Sequence, residues 1–298
     1  MIKHYLRFAA AACAAGFVLS CGKTGVEPIV DSNDFDAIYN IIRYDWPDAF
    51  NIDLIDFSVP DTSNLIAGPF QPIHYWRRLN SDTQGVDIQI HEPEPDDSLG
   101  TVRWANVTFY KHFRGSLEII AIDTSNGGQN EVRLSKPFNF AGHINAIFEK
   151  VGFDYNTRRG WKLSRIADTI YDGRGPSLFF TYWLAGRPDI AYGDTDIPVN
   201  LAALPELGPG DSMQVSILTS NSGHKVSIRY NTSVGMVTRY ATFDSTSTGG
   251  AYFSTGFVVP SGRRYDHLLL DILSSESLSD TVGYGATSRG AIFRVDRN

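Results

Sequence analysis

Cysteine is almost missing from this 298-residue chain: there are two, Cys13 and Cys21. Both fall in the first 21 residues, so the remainder has no thiol for disulfides, thiolate metal sites or nucleophilic catalysis. Long apolar runs are missing as well. The uncharged stretch Phe8–Leu19 is shorter than the ~20 residues needed to cross a bilayer core. Basic charge is not in excess. Lys and Arg number 26 against 33 Asp and Glu, a formal net charge of −7, which argues against nucleic acid as a partner. Histidines 74, 91, 112, 143, 224 and 267 form neither H-x-H nor H-E-x-x-H, so no metal site is expected. The acidic clusters 31–36 and 92–97 lack the spacing of a calcium loop. No G-x-S-x-G exists to make a nucleophile elbow. Gly16–Thr24 misses the phosphate-loop pattern by one residue. No cofactor is implied.

What is present begins at the start. Lys3 and Arg7 precede the apolar stretch, which ends in Val18-Leu19-Ser20-Cys21. Its length and flanks are those of a secretory signal core. The last four residues resemble the bacterial lipobox. That resemblance implies cleavage between Ser20 and Cys21, lipid on the Cys21 sulfur, and confinement to a bacterial envelope membrane. Gly22, where Asp would favour inner-membrane retention, points to the outer membrane. Residues 1–20 are thus expected to be a signal peptide and 21–34, rich in Gly, Pro and polar residues, a flexible tether.

Beyond the tether, Phe35, Ile38, Tyr39, Ile42 and Trp46 recur at helical spacing, with Ser32, Asn33 and Asp34 as cap candidates and Pro47 as a stop. Strand patterns follow. Val86, Ile88 and Ile90 alternate with polar residues. Trp104, Asn106, Thr108 and Tyr110 share one face, and Arg103, Ala105, Val107 and Phe109 the other. Leu117–Ile122 is a further strand, Leu134–Val151 reads as a bent strand pair, and Trp161–Ala167 closes the series. Asp172–Pro176 is the strongest turn signal, dividing residues 35–173 from 174–298. In the second part, short apolar runs recur about every ten residues without an amphipathic helix, as in a β-sandwich.

A helix followed by long antiparallel strands and the closing Gly160-Trp161-Lys162-Leu163 resembles the nuclear transport factor 2-like superfamily over residues 35–172. Residues 174–298 resemble immunoglobulin-like sandwiches in architecture. The expected fold class is therefore an α+β domain, a helix packed on a curved antiparallel sheet, followed by an all-β immunoglobulin-like sandwich. The first resemblance implies a cavity that Tyr110, His112, Asp123 and His143 could line.

Other chemical candidates have plainer explanations. Gly210-Asp211-Ser212 is similar to a serine-esterase nucleophile block, but no Asp-x-x-His follows it, and it reads as a turn into a strand. Asp266, His267 and Asp271 lack a nucleophile within reach. The aromatic pairs Tyr75-Trp76 and Tyr182-Trp183 suit a core first and a sugar or peptide surface second. The expected function is a non-catalytic, lipid-anchored envelope module that binds an envelope protein or a glycan. The alternatives are a hydrolase or isomerase in the first domain's cavity, or a carrier of a small apolar ligand.

Overall fold

Three consecutive strands of about twenty residues dominate the molecule. They are β2 (Phe70–His91), β3 (Trp104–Asp123) and β4 (Asn130–Lys150), joined antiparallel as a meander, with the short β1 (Ser58–Pro60) on the outer edge of β2. The computed structural model describes residues 31–52, 58–60, 69–93, 102–125, 130–193, 196–232, 234–281 and 283–296. Strands usually run five or six residues, so these must curl. Part of the bend has an identifiable cause. A bulge separates Leu79 from Ser81 opposite Gly115, and a Cβ on Gly115 would sit 2.2 Å from the Arg78 carbonyl oxygen. Only glycine permits that approach.

The expected α+β first domain is not what forms. Strand accounts for 61% of the structure and helix for 10%. The N-terminal helix, α1 (Asp34–Asn40), is only seven residues long, capped by the Asn33 side chain, which accepts from the Asp36 N–H at 2.9 Å. It passes directly into a π-helical turn, Ile41–Asp45. The buried face is also rotated from expectation. Ala37, Ile38, Ile41 and Ile42 enter the core, while Phe35 and Tyr39 are exposed. The stretch expected as a bent strand pair, Leu134–Val151, is instead one continuous strand as far as Lys150, the end of β4.

The chain continues through β5 (Trp161–Ile166), β6 (Thr169–Asp172), β7 (Leu178–Leu184), β8 (Ala191–Gly193), β9 (Val199–Asn200), β10 (Glu206–Leu207), β11 (Ser212–Thr219), β12 (Lys225–Thr232), β13 (Gly235–Tyr240), β14 (Thr242–Ser247), β15 (Gly250–Val258), β16 (Tyr265–Leu273), the short helix α2 (Ser275–Ser279) and β17 (Ala286–Val295). One twelve-stranded sheet runs β1-β2-β3-β4-β6-β17-β16-β12-β13, with β5, β9 and β10 off that path. A second sheet runs β14-β15-β11-β7-β8. This is a chain rich in antiparallel sheet, and the first sheet passes through the Asp172–Pro176 turn by way of β6. Inward side chains of both sheets, including Tyr182, Val215, Ile217, Ile228, Phe257 and Phe293, form one core cluster. A second cluster fills the concave side of the meander with Ile38, Phe50, Phe109, Phe113, Leu117, Ile144 and Phe148. Each such side chain contributes about 1.5–3 kcal/mol on burial.

Ion pairs fasten the first turn of α1 to one end of the meander. Asp34 receives Arg103, Lys150 Nζ at 3.0 Å and Arg159 Nε at 2.9 Å, while Arg158 holds Asp45 at 2.7 Å. Burial alone would raise the Asp34 pKa. Hydrogen bonding from Arg159 above all, with Trp161 and Lys150 behind it, overrides that and holds it at about 2, against an ordinary 3.8. A depressed folded-state pKa gives stability that is present above about pH 4 and lost as pH falls through 2. The shift corresponds to roughly 2 kcal/mol. Asp34→Asn is therefore expected to lower the unfolding free energy by about that amount at neutral pH and to flatten its decline below pH 4. Urea titrations of both proteins at neutral and acidic pH measure the difference.

Candidate functional site

Alternation along the meander separates a core face from an outer face. On β3, Ala105, Val107, Phe109 and Phe113 are buried, which turns Trp104, Asn106, Thr108, Tyr110 and His112 outward. On β4, Ile144, Ala146 and Phe148 are buried and His143, Asn145, Ile147 and Glu149 turn outward. The register then builds rows across the sheet. His91, Trp104 and Glu149 form one row; Gln89, Asn106 and Ile147 the next, extended by Arg165 of β5; Asp87, Thr108 and Asn145 the third; Gly85, Tyr110 and His143 the fourth.

Two hollows occupy these rows. One, of about 380 Å³, is lined by Val102, Trp104, Ile147, Glu149 and Arg165. The other, of about 330 Å³, is lined mainly by Asp87, Gln89, Asn106, Thr108, Asn145 and Pro198. They adjoin, because Asn106 of one pairs directly across strands with Ile147 of the other. Both lie inside the ordinary range for small-ligand sites, roughly 300–1,000 Å³.

The walls are preorganised. The His91 and Trp104 rings are stacked, 4.0 Å between centroids and 15° between planes, which fixes the indole as a platform. Asn106 Nδ2 lies 3.4 Å from His91 Nε2. Thr108 donates to Asn145 Oδ1 at 2.9 Å, leaving the Asn145 amide hydrogens to point elsewhere, and Ser164 donates to Glu149 at 2.9 Å. Arg165 pairs with no carboxylate among the described residues. An indole face beside amide, carboxylate and guanidinium groups suits a ligand with an apolar C–H face and many hydroxyls.

The four residues expected to line an interior cavity stand differently. Tyr110, His112 and His143 are on the outer face, and they do not reach the concave side, which is packed largely with aromatic and aliphatic side chains. Tyr110 lies over Gly85, where a Cβ would come within 2.4 Å of its ring. The Tyr110 and His112 rings are 5.4 Å apart, and His143 Nδ1 is 3.8 Å from Asp172 Oδ2. Asp123 is not brought to them. Thirteen residues along the strand separate it from Tyr110, about 40 Å. Its carboxyl accepts from the Ser125 hydroxyl at 2.6 Å and backbone N–H at 2.9 Å, which lowers its pKa.

The remaining sequence candidates resolve into structure. Asp211 accepts from the Gly208 N–H at 2.7 Å and Gly210 has φ 89°, a turn leading into β11. Asp266 is buried and accepts from Asn231. Asp271 is buried against Arg77 at 3.0 Å. Tyr75 and Tyr182 are buried, with Trp76 and Trp183 half-buried beside them. Cys21, Ser20, residues 1–20 and most of the 21–34 tether lie outside the described residues, as does the larger part of the 92–97 acidic turn. Among the described residues no group of three His, Cys, Asp or Glu side chains is placed to hold a metal. No described helix is long and apolar enough to cross a membrane. Family models, curated proteins and solved structures contain no match to this chain.

The outer-face site was half visible in the sequence. Alternation put Trp104, Asn106 and Thr108 together, but nothing local indicated that Gln89, Asn145, Glu149 and Arg165 would join them. The signal that could have found them is a repeated polar residue on the non-core parity of three successive strands.

Proposed function

We propose that the protein is a lipid-anchored envelope module that binds glycans, without catalysis, on the outer face of its long meander. The carrying observation is the His91-stacked Trp104 platform set beside the amides of Gln89, Asn106 and Asn145. A pyranose ring lays its axial C–H face on an indole, while its hydroxyls both donate and accept, which side-chain amides reciprocate with an acceptor oxygen and two donor hydrogens. The sheet's rigidity lowers the ordering cost of binding.

Binding is favoured over hydrolysis by the spacing of the carboxylates. Asp87 and Glu149 stand two strands and four residues apart, roughly 16 Å by strand geometry. Glycosidic carboxylate pairs need about 5–9.5 Å. The envelope address derives from the Val18–Cys21 pattern. Lipid at Cys21 would confine the site to a surface where polysaccharide is abundant.

Calorimetry with soluble glucan and peptidoglycan oligosaccharides tests the proposal. Trp104→Ala is expected to weaken binding about tenfold, from the loss of stacking and buried area together. Asn145→Ala, which leaves the platform intact, is expected to have a smaller effect. Failure of the unmodified chain to bind either oligosaccharide class would overturn the glycan assignment.

A further inference from the structure

A second pocket lies on the opposite side of the meander, where the π-helical turn Ile41–Asp45 meets β2 and β3. Its volume is about 230 Å³, below the usual small-ligand range of roughly 300–1,000 Å³, so an occupant must be small. Phe50 and Phe109 meet edge to face in its wall, 6.0 Å between centroids, with Ile42 and Val86 beside them. Its polar lining comprises Tyr39, Arg43, Asn51 and Gln84, and no carboxylate.

The charge on Arg43 is the second observation. Arg43 is exposed and pairs with no carboxylate among the described residues. The acids nearest in sequence are already engaged: Asp45 by Arg158 at 2.7 Å and Asp48 by Arg263 at 3.4 Å. The Arg43 guanidinium carbon instead sits 5.4 Å from the Tyr44 ring centre. Turns of π-helix are rare and recur at functional sites, because the extra residue turns side chains away from the helical register. Here the turn buries Ile42 in the pocket wall and sets Arg43 at its rim.

We propose that this pocket binds a small carboxylate with an aromatic or branched aliphatic body. The body packs against Phe50, Phe109 and Val86. The carboxylate meets the Arg43 fork, which is suited to two parallel N–H···O bonds, and the Gln84 amide is placed to donate as well. This site is independent of the glycan face.

The test uses the full chain with phenylacetate and its neutral isostere phenylacetamide, followed by calorimetry and ligand-observed NMR. Phenylacetate is expected to bind saturably at one site, and the amide about tenfold more weakly. Arg43→Met should weaken the acid by a similar factor and leave the amide unchanged. Arg43 is exposed, so the variant keeps the fold. Gln84→Trp, also at an exposed position, should block both probes by filling the mouth. Equal affinity for acid and amide, unchanged binding by Arg43→Met, or no saturable binding of phenylacetate would each overturn the proposal.

Discussion

Asp271→Ala is expected to remove about 3–5 kcal/mol of folding stability, the usual result of stripping a buried charge of its partner. Arg77 on β2 and Asp271 on β16 are each 1% exposed in their side chains and meet at 3.0 Å. Ser288 of β17 donates to the same carboxylate oxygen. The Arg77 guanidinium carbon also lies 5.4 Å from the centre of the Tyr284 ring, and burial raises the Tyr284 pKa. Without Asp271 the guanidinium keeps its charge in a site almost closed to solvent, its side chain only 1% exposed. The loss is a large share of the 5–15 kcal/mol that typically holds a domain together. The pair itself is not expected to be the source of that stability. A double replacement, Arg77→Met with Asp271→Leu, should recover most of the loss, since apolar side chains of similar volume often match a buried ion pair. Urea unfolding of the three variants decides the matter. A loss below about 1 kcal/mol in Asp271→Ala would place the pair in the class of solvated surface bridges.

The second large effect concerns location. If Cys21 carries lipid, as proposed, Cys21→Ser removes the only sulfur able to accept diacylglycerol, and with it every acyl chain. Each buried methylene contributes ~0.8 kcal/mol, and two or more chains make detachment negligible where one chain holds only marginally. The expected result is a product without acyl mass whose leader stays uncut, so that the apolar run Phe8–Leu19 remains on the chain. Mass spectrometry of the native product and of the variant reads this directly. A variant still cut before residue 21, or a native product without acyl mass there, would remove the anchor from the proposal. Glycan and phenylacetate binding would survive that failure, since both sites are built from residues far along the chain.

Local patterns carried the strands well and their partners poorly. Ala105, Val107 and Phe109 alternate with Trp104, Asn106 and Thr108, and the structure buries the first set and turns the second to the outer face, half-buried or exposed, because a pleated strand allows only two faces. Helical spacing misled at Phe35 and Tyr39. Aromatic size suggested a buried face, yet the smaller Ala37, Ile38 and Ile41 allow the helix to approach the sheet closely. Arg77 and Asp271 are 194 positions apart. No window of sequence connects them, because pairing across a sheet depends on the whole path of the chain. For the same reason no local pattern placed β4, β6 and β17 side by side in one sheet. The chemistry of the outer face was readable in kind, as polar residues on one parity, but its assembly needed the register.

The place of β17 has a consequence for how the molecule comes into being. It sits between β6 and β16, midway across the larger sheet, and is the latest strand made among those described. Until the ribosome has delivered Ala286–Val295, the two neighbours have open edges and no continuous sheet can close. Pairings of such long range form slowly, and chains awaiting them remain loose. A polypeptide that cannot finish folding early stays threadable, and if this chain is exported, as proposed, that is the state in which it would have to cross.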